Sequence, residues 1–217
     1  MVTLAEENYL KAILSISLKQ NEKVSTNEIA NEIGTSAASV SDMLKKLQEK
    51  KLVKYKKYKG VELSKLGKIK AINILRKHRL WETFLVNKLA FGWQEVHDVA
   101  EQLEHIKSEE LIDKLDAFLN HPKFDPHGEP IPNKKGKIPS RNTIPLNKLK
   151  AGEKGLVMGV NLDEKLFLDY LTKLNISIGT EVELLETICF DQSLSIKIAK
   201  QTQHISKDVA KHLLIKI

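Results

Sequence analysis

A chain of 217 residues with 41% hydrophobic content, ten glycines and six prolines is long enough to bury a real core and to divide into two or three small domains. No apolar run approaches the roughly eighteen residues of a membrane span, and the first residues, MVTLAEENYLKAILSISL, carry charges and a helical period where a signal peptide would be apolar, so the expectation is a cytoplasmic protein without a membrane partner. The single cysteine, Cys189, excludes an internal disulfide framework and any multi-cysteine zinc site, and is expected as a small buried hydrophobe.

The net charge of +7 is unevenly spread: Lys45 to Arg79 contains fourteen Lys or Arg against two acids, Glu49 and Glu62. Such asymmetry points to an anionic partner. Residues Leu4 to Leu18 repeat apolar side chains at Leu4, Tyr9, Leu10, Ile13, Leu14 and Leu18, which predicts an amphipathic helix with Glu6, Glu7 and Asn8 in its first turn, where acids complement the helix dipole. Ser25 or Thr26 then caps a short helix carrying Ile29, Ala30 and Ile33. Gly34 breaks it, and Ser36 or a neighbour opens a second helix with Val40, Met43, Leu44 and Leu47 inward. That is helix-turn-helix spacing. The alternation in LVKYKKYKGVELS predicts a basic hairpin, and helix, helix-turn-helix and wing together predict a winged-helix domain over residues 1–64.

The second helix of the pair belongs in a DNA major groove. It exposes Ser36, Ala37, Ala38, Ser39, Ser41 and Asp42 early and Lys45 and Lys46 later, with Thr26 from the preceding helix. None of these is a bidentate Arg–guanine or Asn–adenine reader. Lys54, Lys56, Lys57 and Lys59 of the wing suit phosphate, while Tyr55 and Tyr58 pack under the wing or touch the DNA backbone.

A long helix is predicted from Leu66 through IKAINILRKHRLWETFLVNKL to an interruption near Gly92. The next helix carries His97, Glu101, Glu104 and His105, whose offsets of four, seven and eight put all four on one face. His78 and Glu82 repeat the four-residue spacing on the helix before. Imidazole nitrogen and carboxylate oxygen converging in this way form a divalent-metal ligand set, although the same spacing also occurs on ordinary solvated faces. Apolar residues beyond the needs of one small core, Ile72, Leu75, Trp81, Phe84, Leu85, Phe91 and Trp93, suggest a helical interface between subunits. A helix SEELIDKLDAFLNH completes this segment, 65–122.

The chain's prolines gather in HPKFDPHGEPIPNKKGKIPSRNTIP, read as a linker or extended arm over 123–150 with His121 and His127 at the surface. From 151 to 217 the texture becomes short β-like runs, KGLVMGV, TEVELLE and LSIKIAK. A helix KLFLDYLTKL lies between the first two, and the set suits a small SH3-like barrel. The fold class expected is thus mainly α, with an all-α middle domain between the winged helix and the barrel.

The stretches EENYLKAI, SAASVSDMLKKLQEKKLV, RKHRLWE, VHDVAEQLEH and PHGEPIP resemble the metal-dependent repressors of the diphtheria-toxin-repressor and manganese-transport-regulator family, over nearly the whole chain including an SH3-like (FeoA-type) last domain. The resemblance implies a homodimer that binds palindromic operators in double-stranded DNA when loaded with Mn(II) or Fe(II), and represses metal-uptake genes. It implies a regulatory site of Asn8, Glu101, Glu104 and His105 and an ancillary site of His78, Glu82 and His97, to which the last domain can add ligands; Asp163 and Glu164 are the candidates here. Glu101 stands where iron-responsive members have cysteine, which favours Mn(II) over Fe(II). Asn8 replaces the usual Met or Asp, and Lys11 occupies a position that holds a ligand acid in short manganese regulators. Two other readings remain: a winged-helix regulator answering an organic or protein effector, and a metal-assisted hydrolase. The hydrolase lacks an HExxH pattern and leaves the basic wing without purpose.

Overall fold

The structure, a computed structural model, describes residues 2–19, 23–57 and 59–217; Tyr58, read above as a wing residue, lies outside them. The chain divides into two compact units. The first comprises Met1–His78, Glu101–Glu109 and Pro132–Ile138, and the second Arg79–Ala100, Glu110–Ile131 and Pro139–Ile217.

The first unit opens with α1 (Leu4–Lys19), α2 (Thr26–Ile33) and α3 (Ala37–Glu49), followed by a hairpin of β1 (Val53–Tyr55) and β2 (Val61–Leu63) and the start of α4 (Lys65–Leu89). Local chemistry sets each boundary. Ser25 accepts a hydrogen bond from Glu28 N while the Glu28 carboxylate accepts one from Ser25 N, a reciprocal cap at α2. Gly34 ends that helix at φ 72°, a left-handed conformation that glycine adopts without Cβ strain, and Ser36 caps α3 through Ser39 N. Leu10, Ile13 and Leu14 of α1 meet Ile29, Val40, Leu44, Leu47, Val53 and Val61 in one buried core. This is the expected winged helix. At Gly67 an added Cβ would fall 2.0 Å from Leu52 O, so only glycine lets α4 start against the strand that follows α3.

The second unit takes the rest of α4, the first residues of α5 (His97–Leu103), α6 (Glu109–Phe118) and a six-stranded antiparallel sheet. Its strands are β3 (Ile144–Pro145), β4 (Lys154–Val160), β5 (Glu181–Thr187), β6 (Leu194–Ile198), β7 (Gln201–Ile205) and β8 (Leu213–Lys216), in the order β3-β8-β4-β5-β6-β7. Helices α7 (Lys165–Lys173) and α8 (Lys207–His212) complete a core containing Leu146, Val157, Leu168, Leu171, Val182, Ile196 and Ile215, with Trp93 packed against it. At 46% helix and 18% strand, the chain is a mixed architecture, so "mainly α" understates the last domain.

Three details differ from expectation. Helix α5 ends at Leu103, so Glu104 and His105 lie on the turn after it and not on one helical face with His97. Cys189 is exposed, because TICF runs off the end of β5 into a turn. Leu75, Trp81 and Leu85, offered above as interface residues, are already buried within this one chain. No helix among the described residues is long and apolar enough to cross a membrane.

Candidate metal centres and nucleic-acid interface

In the first unit, Glu101 and Glu104 of the predicted regulatory set share Lys11 as a partner, and His105 borders Glu104. Glu104 is fully buried, and its Oε2 accepts from Lys11 Nζ at 2.7 Å and lies 2.6 Å from His78 Nδ1. Lys11 also donates to Glu101 Oε1 and stands 3.4 Å from His78 Nδ1. The other oxygen, Glu104 Oε1, is 3.8 Å from His105 Nε2 and accepts no hydrogen bond among the described residues; the same holds for the buried Asn8 Oδ1 on α1. Buried acceptors without donors are costly. The Glu104 oxygen and the His105 nitrogen are donors that suit a divalent cation, and Asn8 offers a buried oxygen of the same kind, so the residues present fit one. His78, assigned by resemblance to the ancillary set, touches Glu104, assigned by it to the regulatory set.

Sequence reasoning missed Glu7, which it read as a dipole acid of α1. Its Oε2 lies 2.6 Å from His105 Nδ1. A carboxylate there accepts the Nδ1 proton and leaves the Nε2 lone pair for a cation. Adjacency to Asn8 gave no signal for it, since neighbouring residues on a helix do not face the same way.

The second unit holds a second group. Ligand atoms of Glu82, Asp125 and His127 all lie within 4.8 Å of one another, and all three residues are buried. His127, predicted at the surface with His121, is 4% exposed, whereas the His121 side chain is 73% exposed. The DPHGE turn explains the burial. Asp125 Oδ1 accepts from His127 N at 2.8 Å and Glu129 N at 2.9 Å, Gly128 N donates to Asp125 O at 3.0 Å, and Gly128 takes φ 78°. Asp, Pro and Gly at these offsets are turn formers, and here they fold a polar stretch back on itself. Arg79 braces the turn through Glu129 Oε2 and Pro130 O, and Arg141 donates to Gly128 O at 2.7 Å. The proline-rich stretch is therefore ordered in this part.

Burial, and then the neighbouring Glu82 and Glu129 charges, push the Asp125 carboxyl up to about 7, against the opposing pull of Arg79 and His127. Burial alone would lower the His127 imidazole, but the Glu82 hydrogen bond and charge, helped by Asp125 and the Trp93 carbonyl, raise it to about 9. Two buried acids and an imidazole so close together are a ligand set that could hold a cation. Of the predicted ancillary residues, Glu82 belongs to this group. His97 Nδ1 lies 3.6 Å from Glu82 Oε1, with its side chain half exposed. Asp163 and Glu164 stand exposed just ahead of α7.

Most, but not all, of the residues read above as facing DNA are exposed. Ser36, Ala38, Ser39 and Asp42 are exposed at the start of α3, Lys45 and Lys46 farther along it, and Lys54, Lys56, Lys57 and Lys59 on the wing. Thr26, Ala37 and Ser41 are half-buried. Ser36 and Ser39 hydroxyls share a 2.9 Å hydrogen bond, Ser41 is turned onto Ala37 O, and Lys45 pairs with Asp42 at 3.0 Å. The tip of α3 is thus small and hydroxyl-rich, with its charges on the flank.

Comparison with known proteins agrees with this architecture. Residues 1–61 match "Iron dependent repressor, N-terminal DNA binding domain", 64–133 match "Iron dependent repressor, metal binding and dimerisation domain", and 144–217 match the FeoA domain. The iron-dependent repressor IdeR of Mycobacterium tuberculosis is 32% identical over 126 residues, 58% of this chain and 54% of that protein, so the chain spans about half the length of the curated relatives it matches. A manganese-dependent transcriptional repressor in complex with manganese is 34% identical with a TM-score of 0.87, covering 97% of this chain and 98% of that one. The manganese regulator SloR is 36% identical with a TM-score of 0.78, covering 97% of each chain. With matched DNA-binding, metal-binding and FeoA segments in order and full-length relatives above thirty per cent identity, the chain belongs to the iron-dependent repressor family, that of the diphtheria toxin repressor and the manganese-dependent repressors.

Proposed function

We propose that the chain is a metal-dependent transcriptional repressor that binds, as a homodimer, palindromic operators of metal-uptake genes, with Mn(II) favoured over Fe(II). The observation that carries this reading is the buried Glu104 Oε1, without a hydrogen-bond donor among the described residues, beside His105 Nε2 in the unit that bears the winged helix, with a second such oxygen at Asn8 Oδ1. Asn8, Glu101, Glu104 and His105 form the regulatory site. Glu82, Asp125 and His127 form the second, with His97 at its edge, and His78 supports Glu104. Asp163 and Glu164 are left out, since Asp125 and His127 supply the buried donors that a site around Glu82 needs.

Both donor sets are oxygen and nitrogen only, which suits Mn(II) better than softer competitors, and a solved relative is a manganese-dependent repressor with manganese bound. A cation held by Asn8, Glu104 and His105 would supply the positive charge that ties α1 to the turn after α5. Asn8 and Glu7 are on the helix that packs under α2, so ordering this end of α1 steadies the reading head. A ligand that binds one conformation stabilises it by about 2.7 kcal/mol at a hundredfold excess over its dissociation constant, enough for about a hundredfold change in DNA affinity. Exposed Leu89, Phe91 and Phe118 support a subunit interface on the helical segment.

The test is binding of metal-stripped protein to fragments of its own upstream DNA at one fixed salt concentration, titrated separately with Mn(II), anaerobic Fe(II) and Zn(II). Tightening with Mn(II) at the lowest free metal, lost in Glu104→Gln, is the expected result. Equal binding with and without chelator would overturn the reading and leave a winged-helix regulator with a non-metal effector.

A further inference from the structure

Trp93 holds His127 in two ways. Its carbonyl accepts from His127 Nε2 at 2.7 Å, and its ring stacks on the imidazole with centroids 6.1 Å apart and planes 18° from parallel. The first contact directs Nδ1 toward Glu82 Oε2, 3.7 Å away. The second stops the ring from tilting. Yet Trp93 lies in the irregular segment between α4 and α5, where no helix or strand ladder fixes it.

Its side-chain anchor comes from the barrel. The Trp93 indole N–H donates to Thr172 Oγ1 at 3.0 Å, and the Thr172 hydroxyl spends its own hydrogen on Leu168 O at 2.9 Å. The hydroxyl can therefore only accept from the indole, and its lone pair is aimed. Thr172 rides on α7, which Leu168 and Leu171 root in the barrel core. A second barrel element holds the other side of the turn: Val160 N of β4 donates to His127 O at 2.9 Å, and a Cβ on Gly128 would lie 2.0 Å from Met158 O. His127 is thus gripped between α7, through Trp93, and β4.

We propose that Thr172 and Trp93 are positioning residues for His127, so that the C-terminal barrel helps set the cation affinity of the Glu82, Asp125 and His127 group through this chain of contacts. This rests on the reading of that group as a metal site, and it assigns the barrel a role in holding a histidine. Outer partners of metal-binding histidines commonly change affinity by about tenfold or more; Thr172 acts one residue farther out, so a loss of about three- to tenfold is expected.

The experiment uses the full-length, metal-stripped protein and measures Mn(II) affinity by calorimetry and Co(II) d–d absorption as a probe of ligand geometry. His127→Ala identifies the ion belonging to this group. Thr172→Val removes the acceptor at nearly constant volume, Thr172→Ser keeps it, and Trp93→Phe keeps an aromatic ring without the N–H. Expected are weaker binding and shifted Co(II) bands for that ion alone in Thr172→Val and Trp93→Phe, with wild-type values in Thr172→Ser. If His127→Ala loses an ion while Thr172→Val keeps wild-type affinity and spectrum, the positioning role is overturned and the metal site stands. If His127→Ala loses none, the reading of the group itself fails, and the proposal with it.

Discussion

Glu7 Oε2 lies 2.6 Å from His105 Nδ1, so the imidazole that borders the orphaned Glu104 Oε1 is oriented from the first helix of the winged domain. Glu7→Gln keeps the shape but weakens the acceptor. Mn(II) affinity at the regulatory site is expected to fall about tenfold, measured by calorimetry on metal-stripped protein. Unchanged affinity would place Glu7 outside the site.

Lys11 is the cation that Glu101 and Glu104 hold in this structure. Breaking a buried ion pair by removing one partner costs about 3–5 kcal/mol, because the remaining charge is left unpaired. Lys11→Met should therefore lower the melting temperature of the metal-stripped protein, and saturating Mn(II) should recover more stability in the variant than in the parent. Calorimetric scans with and without Mn(II) check both statements.

Glu6 gives a pH prediction. Burial pushes its carboxyl up, but the bidentate contact with Lys50 at 2.7 and 2.8 Å and the hydrogen bonds with Thr3 outweigh this and hold it below the ordinary 4.5. A depressed folded-state pKa contributes stability above the unfolded value, and that contribution is lost as pH falls through the folded one. With Lys50 partly in solvent, Glu6→Gln should cost about 1 kcal/mol at neutral pH. The difference should narrow as pH falls from about 5 toward 3. Urea midpoints across that range measure it; a gap that widens in acid contradicts the assignment.

The wing lysines give a salt-dependence prediction. Lys56 and Lys59 are exposed and project from the hairpin. Each phosphate contact removed should lower the slope of log affinity against log salt by about 1, hence about 2 for a dimer carrying one such substitution. Lys56→Ala and Lys59→Ala should weaken binding equally on all sequences, which fluorescence anisotropy at several salt concentrations can read.

The winged helix was legible because its signals are local. Ser25 with Glu28, Gly34 and Ser36 each act within a few residues, and the periodicity of Val40, Leu44 and Leu47 survives in the core. Asn8, Glu104 and His105 were named by resemblance, whereas the end of α5 at Leu103 was not foreseen, since the polar contacts of Glu104 with Lys11 and His78 come from far along the chain. His127 was misread for the same reason. Its neighbours are Pro, Gly and charged residues, a surface texture, and its burial depends on Glu82, Trp93 and β4, none of them near in sequence.

The two hydrophobic cores described above, one under the winged helix and one inside the barrel, also bear on cooperativity. A chain with two separate cores is free to unfold in two steps, in which case no single melting temperature describes it. Lys11 and Glu6 belong to the first unit, Glu82, Asp125 and His127 to the second. A two-step endotherm would then sort each substitution, and each cation, by the step it moves.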